Sequence, residues 1–124
     1  MQPRKLTAEE CTFTITIEAD EDASEREIRG SFATDEPDLD DAQANEIVER
    51  LKSGDETAWC GVIVTCTFPG LAYEGDDSIW GCTLSKDYTA EIVAEHHGMK
   101  DVALDRLNNA IAAAFITLEP LLVG

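Results

Sequence analysis

Basic residues are scarce in this chain. Nine lysines and arginines stand against 26 aspartates and glutamates, for a formal charge of −17 over 124 residues. So few cations exclude direct binding of DNA, RNA or an anionic membrane, each of which needs lysine or arginine against its phosphates. The same charge favours fast, salt-sensitive association with basic proteins. Long hydrophobic runs are missing too. No stretch approaches the roughly 18 apolar residues of a spanning helix. No apolar segment follows Met1–Lys5, so no secretory signal is expected and the chain reads as cytoplasmic. The four cysteines, Cys11, Cys60, Cys66 and Cys82, contain no C-x-x-C pair, which excludes a zinc ribbon or a thioredoxin-like site. In a reducing compartment they stay thiols. The two histidines, His96 and His97, are adjacent and diverge by about 100° on a helix. A zincin needs them one helical turn apart with a glutamate between. They fit a helix end, where they favour the C-terminal dipole. No metal and no cofactor is expected.

What is present is enough for a core. The apolar fraction of 44% argues against disorder, and the length suits one domain spanning 1–124. Thr12 to Glu18 alternates, with Phe13, Ile15 and Ile17 on one face, and predicts a half-buried strand. Arg26 to Thr34 resumes a period of two through Ile28, Gly30 and Phe32 and predicts a second strand in a hairpin with the first. A helix follows Pro37, with Asp38 or Asp40 as its N-cap and Ala44, Ile47, Val48 and Leu51 as its apolar stripe; Lys52 and Gly54 mark its end. Thr57 to Phe68 predicts a strand with Cys60, Val62, Val64, Cys66 and Phe68 on one face. After Pro69-Gly70 a loop runs through Asp77, and a short strand from Ile79 to Leu84 places Trp80, Cys82 and Leu84 on one side. Ser85 or Thr89 caps a helix reaching His96, Gly98 breaks it, and Leu104, Leu107, Ile111, Ala114, Phe115 and Leu118 form a further stripe before Pro120. The expected fold is α+β: a four-stranded, mainly antiparallel sheet with helices on one face, in the order ββαββα.

The candidate chemistry is sparse. Each cysteine falls at a strand position facing apolar neighbours, where a thiol behaves as a small hydrophobe; a nucleophilic Cys82 would need a base to form thiolate. The runs Asp20-Glu21-Asp22 and Asp38-Leu39-Asp40-Asp41 supply oxygens for calcium but lack the loop glycine and distal glutamate of an EF-hand. No pair of carboxylates is singled out for glycoside chemistry. The strongest remaining signal is the acid itself. Residues 1–62 carry 17 acids and 6 bases, residues 63–124 carry 9 and 3. The densest clusters, Glu18, Asp20, Glu21 and Asp22 and then Asp35, Glu36, Asp38, Asp40 and Asp41, are expected to project from loops or element ends. Duplex DNA carries a charge about every 1.7 Å, so carboxylates on a rigid scaffold can occupy a basic channel in its place. The competing account is solvation: high net charge keeps a protein soluble, and high salt favours it.

Ala58-Trp59-Cys60 opening a valine-rich strand, Gly81-Cys82 on the next, and Asp105, Leu107 and Asn108 on a closing helix carry a resemblance. From Thr57 onward the chain resembles a group of small acidic proteins of bacteriophages and prophages. The resemblance implies a non-catalytic inhibitor of a host nucleic-acid-handling defence complex, of the anti-CRISPR or anti-restriction kind, acting in the bacterial cytoplasm. Its partner would be a basic protein surface, with no nucleic acid and no membrane bound directly. The alternative is a structural or assembly protein that self-associates, a homodimer through Trp59, Trp80 or the C-terminal helix.

Overall fold

A computed structural model describes residues 3–20, 24–30 and 37–122, with the backbone alone at 37–40, 119, 121 and 122. The chain is α+β, and the described residues form a three-stranded antiparallel sheet and four α-helices. In order these are β1 (Thr12–Ala19), α1 (Glu25–Gly30), α2 (Pro37–Lys52), β2 (Cys60–Thr67), β3 (Glu74–Cys82), α3 (Ala90–His96) and α4 (Met99–Leu122). Single 3-10 turns at Ala8–Glu10 and Glu56–Ala58 lead into β1 and β2. The sheet order is β1-β2-β3.

Four strands in the order ββαββα were expected, and the second is a helix. Ile28 is the only large apolar residue of 25–30 and is fully buried. One buried side chain cannot separate a period of two from a helical turn. Local bonds decide it: Ser24 Oγ accepts the Glu27 amide at 3.1 Å, and Arg29 pairs with Glu25 one turn back at 2.9 Å. These are an N-cap and an i,i+4 ion pair. Residues 31–34 of the expected strand lie outside the described residues. The third strand of the sheet starts at Glu74, inside the expected loop. As an edge strand β3 accommodates Glu74, Asp76 and Asp77, and such charges guard an edge against pairing with another chain. Trp80 and Cys82, expected on one side, separate: Trp80 is exposed and Cys82 buried. Gly81 between them has φ 75°, which breaks the alternation as a bulge does.

Tertiary contacts group the chain into two compact units, Met1–Thr16 with Ile63–Ser78 and Glu91–Gly124, and Ile17–Val62 with Ile79–Ala90. In the first, Val64, Cys66, Val93, Ala94, Met99, Ala103 and Leu107 are buried. Helix α4 lies directly on β3, because a Cβ on Gly75 would collide with the Ala103 carbonyl and the Leu107 amide. Arg106 donates to the Asp76 carbonyl at 2.7 Å. The N-terminal arm is held by Asn108, whose amide accepts from Leu6 N–H at 2.8 Å and donates to Leu6 C=O at 3.1 Å. Arg4 donates two hydrogen bonds to Glu10, at 2.8 and 2.7 Å. With the Thr7 amide also donating, these hold the Glu10 carboxyl down at about 2.

In the second unit, Ile28, Ala44, Ile47, Val48, Ala58 and Trp59 form the core, with Leu51 packed against it. The α2 stripe is thus the one its spacing predicts. Asp38 and Asp40 lie inside the first turn, not at the N-cap, because the helix begins at Pro37, a residue suited to the first helical position. Arg50 ties the far end of α2 down, donating to Asp55 at 2.8 Å and to the Leu84 carbonyl at 2.7 Å. The Trp80 ring lies flat on Gly61, where any Cβ would overlap its six-membered ring.

Gly75→Ala should therefore lower stability by at least about 1–3 kcal/mol, read from urea unfolding. Gly30→Ala, with open space for a Cβ, should be neutral or stabilise by up to about 1 kcal/mol. For Glu10 the folded value lies below the ordinary 4.5, so its contribution is complete above pH 4.5 and is lost as pH falls through about 2. A carboxyl titration by NMR should show a midpoint near 2 that rises towards 4.5 in Arg4→Ala.

Candidate functional site

Helices α3 and α4 meet at Gly98, which has φ 60°, a left-handed conformation that favours glycine. Its amide donates to the Glu95 carbonyl at 3.2 Å, and its own carbonyl accepts from Val102 at 3.3 Å. One residue therefore closes α3 and opens α4. Beside this corner is a cleft of about 300 Å³ with Ile15, Ala94 and Gly98 as its apolar part and Glu91, Glu95, Asp101 and Lys100 as its charged part. The Lys100 ammonium sits 5.7 Å from the centroid of the Phe13 ring, a cation–π distance. Among the described residues, ion pairs join Arg4 to Glu10, Arg29 to Glu25, Arg50 to Asp55 and Arg106 to Asp77, and the three cleft carboxylates take part in none of these.

Their placement has an energetic cost. Glu91 and Glu95 are i,i+4 on α3, a like-charge pair. Glu95 also lies in the last turn of α3, at the negative end of the helix dipole, whereas Asp101 in the first turn of α4 is favoured there. Carboxylates around a partly apolar cleft suit a lysine or arginine side chain. Its nitrogens donate to the oxygens, and its methylenes cover Ile15 and Ala94.

Of the acids that the sequence marks, Glu18 is exposed at the end of β1 and Asp20 is half-buried just beyond it. Asp38, Asp40 and Asp41 share the start of α2, where the Asp41 side chain is exposed. Glu21, Asp22, Asp35 and Glu36 lie outside the described residues. The cleft residues Glu91, Glu95 and Asp101 were missed because they form no run; the legible signal was the E-x-x-x-E spacing just before Gly98.

The other candidates resolve as packing. Cys60, Cys66 and Cys82 are buried. Burial pushes the Cys60 thiol up to about 11, and burial with the adjacent Cys11 thiol does the same for Cys66. Cys82 is raised by burial as well and points its Sγ at the Ile79 carbonyl, 3.6 Å away. At neutral pH these are protonated thiols, which leaves Cys82 without the thiolate a nucleophile requires. His96 and His97 stack edge to face at 5.0 Å beside the end of α3. Trp59 is buried and so offers no surface to a partner. Among the described residues, no three of His, Cys, Asp and Glu converge on a metal position, and no helix is long and apolar enough to cross a membrane. No protein-family model matches the chain, and no curated protein and no solved structure is significantly similar to it.

Glu95→Gln removes the unfavourable charge and should raise stability by about 0.3–1 kcal/mol, seen as a higher urea midpoint. Alkylation at neutral pH should leave Cys60, Cys66 and Cys82 unmodified until the chain is unfolded. Rapid native-state labelling of Cys82 would restore the nucleophile reading.

Proposed function

We propose that the protein is a non-catalytic inhibitor of a nucleic-acid-handling host defence complex, anti-CRISPR-like in its action. Its carboxylates take the place of nucleic-acid phosphates on a basic protein surface. The observation that carries this reading is the set of exposed carboxylates without ion-pair partners at the α3–α4 corner, Glu91, Glu95 and Asp101, on a chain of charge −17. Glu95 is kept there against both its helix dipole and its neighbour Glu91, as expected of a group selected for binding over stability. In the other unit, Glu18 near the end of β1, Asp20 just beyond it, and Asp38, Asp40 and Asp41 on α2 are further carboxylates in this reading, with Glu21, Asp22, Asp35 and Glu36 expected from the sequence alone. The resemblance to acidic phage and prophage proteins supports the same reading, in which the bacterial cytoplasm is the compartment of action. The roles are electrostatic: carboxylates engage lysine and arginine of a DNA or RNA channel, and sheet and helices hold them in place.

Capture from a bacterial lysate on the tagged protein, followed by mass spectrometry, should recover a nucleic-acid-handling complex that high salt releases and DNA displaces. Against that complex, E91Q/E95Q/D101N and D38N/D40N/D41N are measured separately. Neutralising three carboxylates should weaken binding at least about tenfold at low salt and much less at high salt. If neither triple variant changes the affinity, the acidic-surface reading is wrong and the charge is solvation only.

A further inference from the structure

Beyond Asn108, helix α4 continues with little tertiary support. Met99, Ala103 and Leu107, at i, i+4 and i+8, are fully buried, and Asn108 is clamped to the backbone of Leu6. From Asn109 to Leu118 no side chain is fully buried: Ala110, Ile111, Ala112, Ala114 and Phe115 are half-buried and the others exposed, although the segment is mainly alanine, isoleucine, phenylalanine and leucine. Leu118 is 46% exposed and Ile116 69%, and these two project from nearly opposite sides of the helix. A helix that is apolar on all sides is a buried helix, and helices in proteins gain most of their stability from packing.

We propose that this distal half of α4 is a homodimerisation surface, covered by the same segment of a second copy of the chain. Charge selects the occupant. Between Arg106 and Glu119 there is no ionisable side chain, so this is a surface on which two chains of −17 can meet without opposing carboxylates. The same net charge repels an anionic membrane. The spacing also suits a helical partner: beyond the buried Leu107, the half-buried Ile111 and Ala114 and the exposed Leu118 continue in steps of three and four, the spacing of a two-helix seam. The flanking positions, where charge normally sets partner choice, hold Asn108, Ala110, Phe115 and Thr117. They carry no like charges to penalise self-pairing, and the alanines permit close approach. A two-fold pairing brings the same residues of both copies together. This surface does not rest on the acidic-cleft reading.

Sedimentation velocity on the full chain over a concentration series, at low and high salt, tests it. The expected result is a reversible dimer that tightens with salt, because screening weakens repulsion between the two anions. That is the opposite of the salt response expected for a basic partner at the acidic cleft. Leu118→Glu should raise the dissociation constant at least about a hundredfold, since a leucine is lost from both sides, with the circular dichroism unchanged. Leu118→Ala, which removes the same apolar side chain without adding a charge, should weaken the dimer too and serves if Leu118→Glu perturbs folding. A chain that stays monomeric at every concentration in high salt overturns the proposal, as does a dimer indifferent to both substitutions.

Discussion

Strand β2 constrains the rest of the structure. It is the middle strand of the sheet, and Cys60, Val62, Val64 and Cys66 along it have no exposed surface. A strand paired on both edges has its backbone groups satisfied, so what it demands of the remaining chain is apolar cover. Residues 60–62 belong to one compact unit and 63–67 to the other, so each unit contains part of this strand. Burial there explains the chemistry of its cysteines. A thiol in that setting is a small hydrophobe, and removing it from water raises the energy of its thiolate. It also explains why the neighbouring strand carries glycine where helix α4 presses on it: at Gly75 a backbone lies where a side chain would otherwise be.

Four of the nine cations, all of them arginines, are used at structural joints. Arg4 closes the N-terminal turn, Arg29 the short helix α1, Arg50 the end of α2, and Arg106 joins α4 to β3. Exposed ion pairs of this kind contribute little to stability, but Arg50 is partly buried and also binds the Leu84 carbonyl, which makes it a positional tie. Once the arginines are committed in this way, most carboxylates are left facing water and one another. That self-repulsion costs stability, and the cleft at the α3–α4 corner concentrates it where a basic side chain could relieve it.

The acidic cleft and the distal half of α4 are opposite kinds of surface in the same unit. One has unneutralised charge beside a small apolar patch, and its attraction for a partner falls with ionic strength. The other has no charge and much apolar area, and the self-association proposed for it is opposed only by the charge on the rest of the chain. The helix that carries Asp101 at its start carries Ile116 and Leu118 near its end, so both surfaces depend on the anchoring of Met99, Ala103 and Leu107.

Helix α2 and the inward face of β2 were legible in the sequence, because in each an apolar period matches the burial that the fold imposes; strand β1 was legible in position, but of its expected face only Phe13 and Ile15 are half-buried and Ile17 is exposed. The α1 segment was not: with Ile28 as its single large apolar residue, its periodicity fits a strand as well as a helix, and Ser24 and the Glu25–Arg29 pair decide the matter locally. The early start of β3 was hidden by Glu74, Asp76 and Asp77, which an edge strand tolerates and a central one would not. The acidity of the protein, its α+β class and the inertness expected of its cysteines follow from the sequence by itself, since composition and alternation set them. Which carboxylates share a cleft, and where the apolar stripe of α4 stops being core, were decided only by tertiary structure. Both depend on how far neighbouring elements reach, Ile15 of β1 towards the Gly98 corner and β3 towards Leu107, and no residue's own spacing records the position of its neighbours.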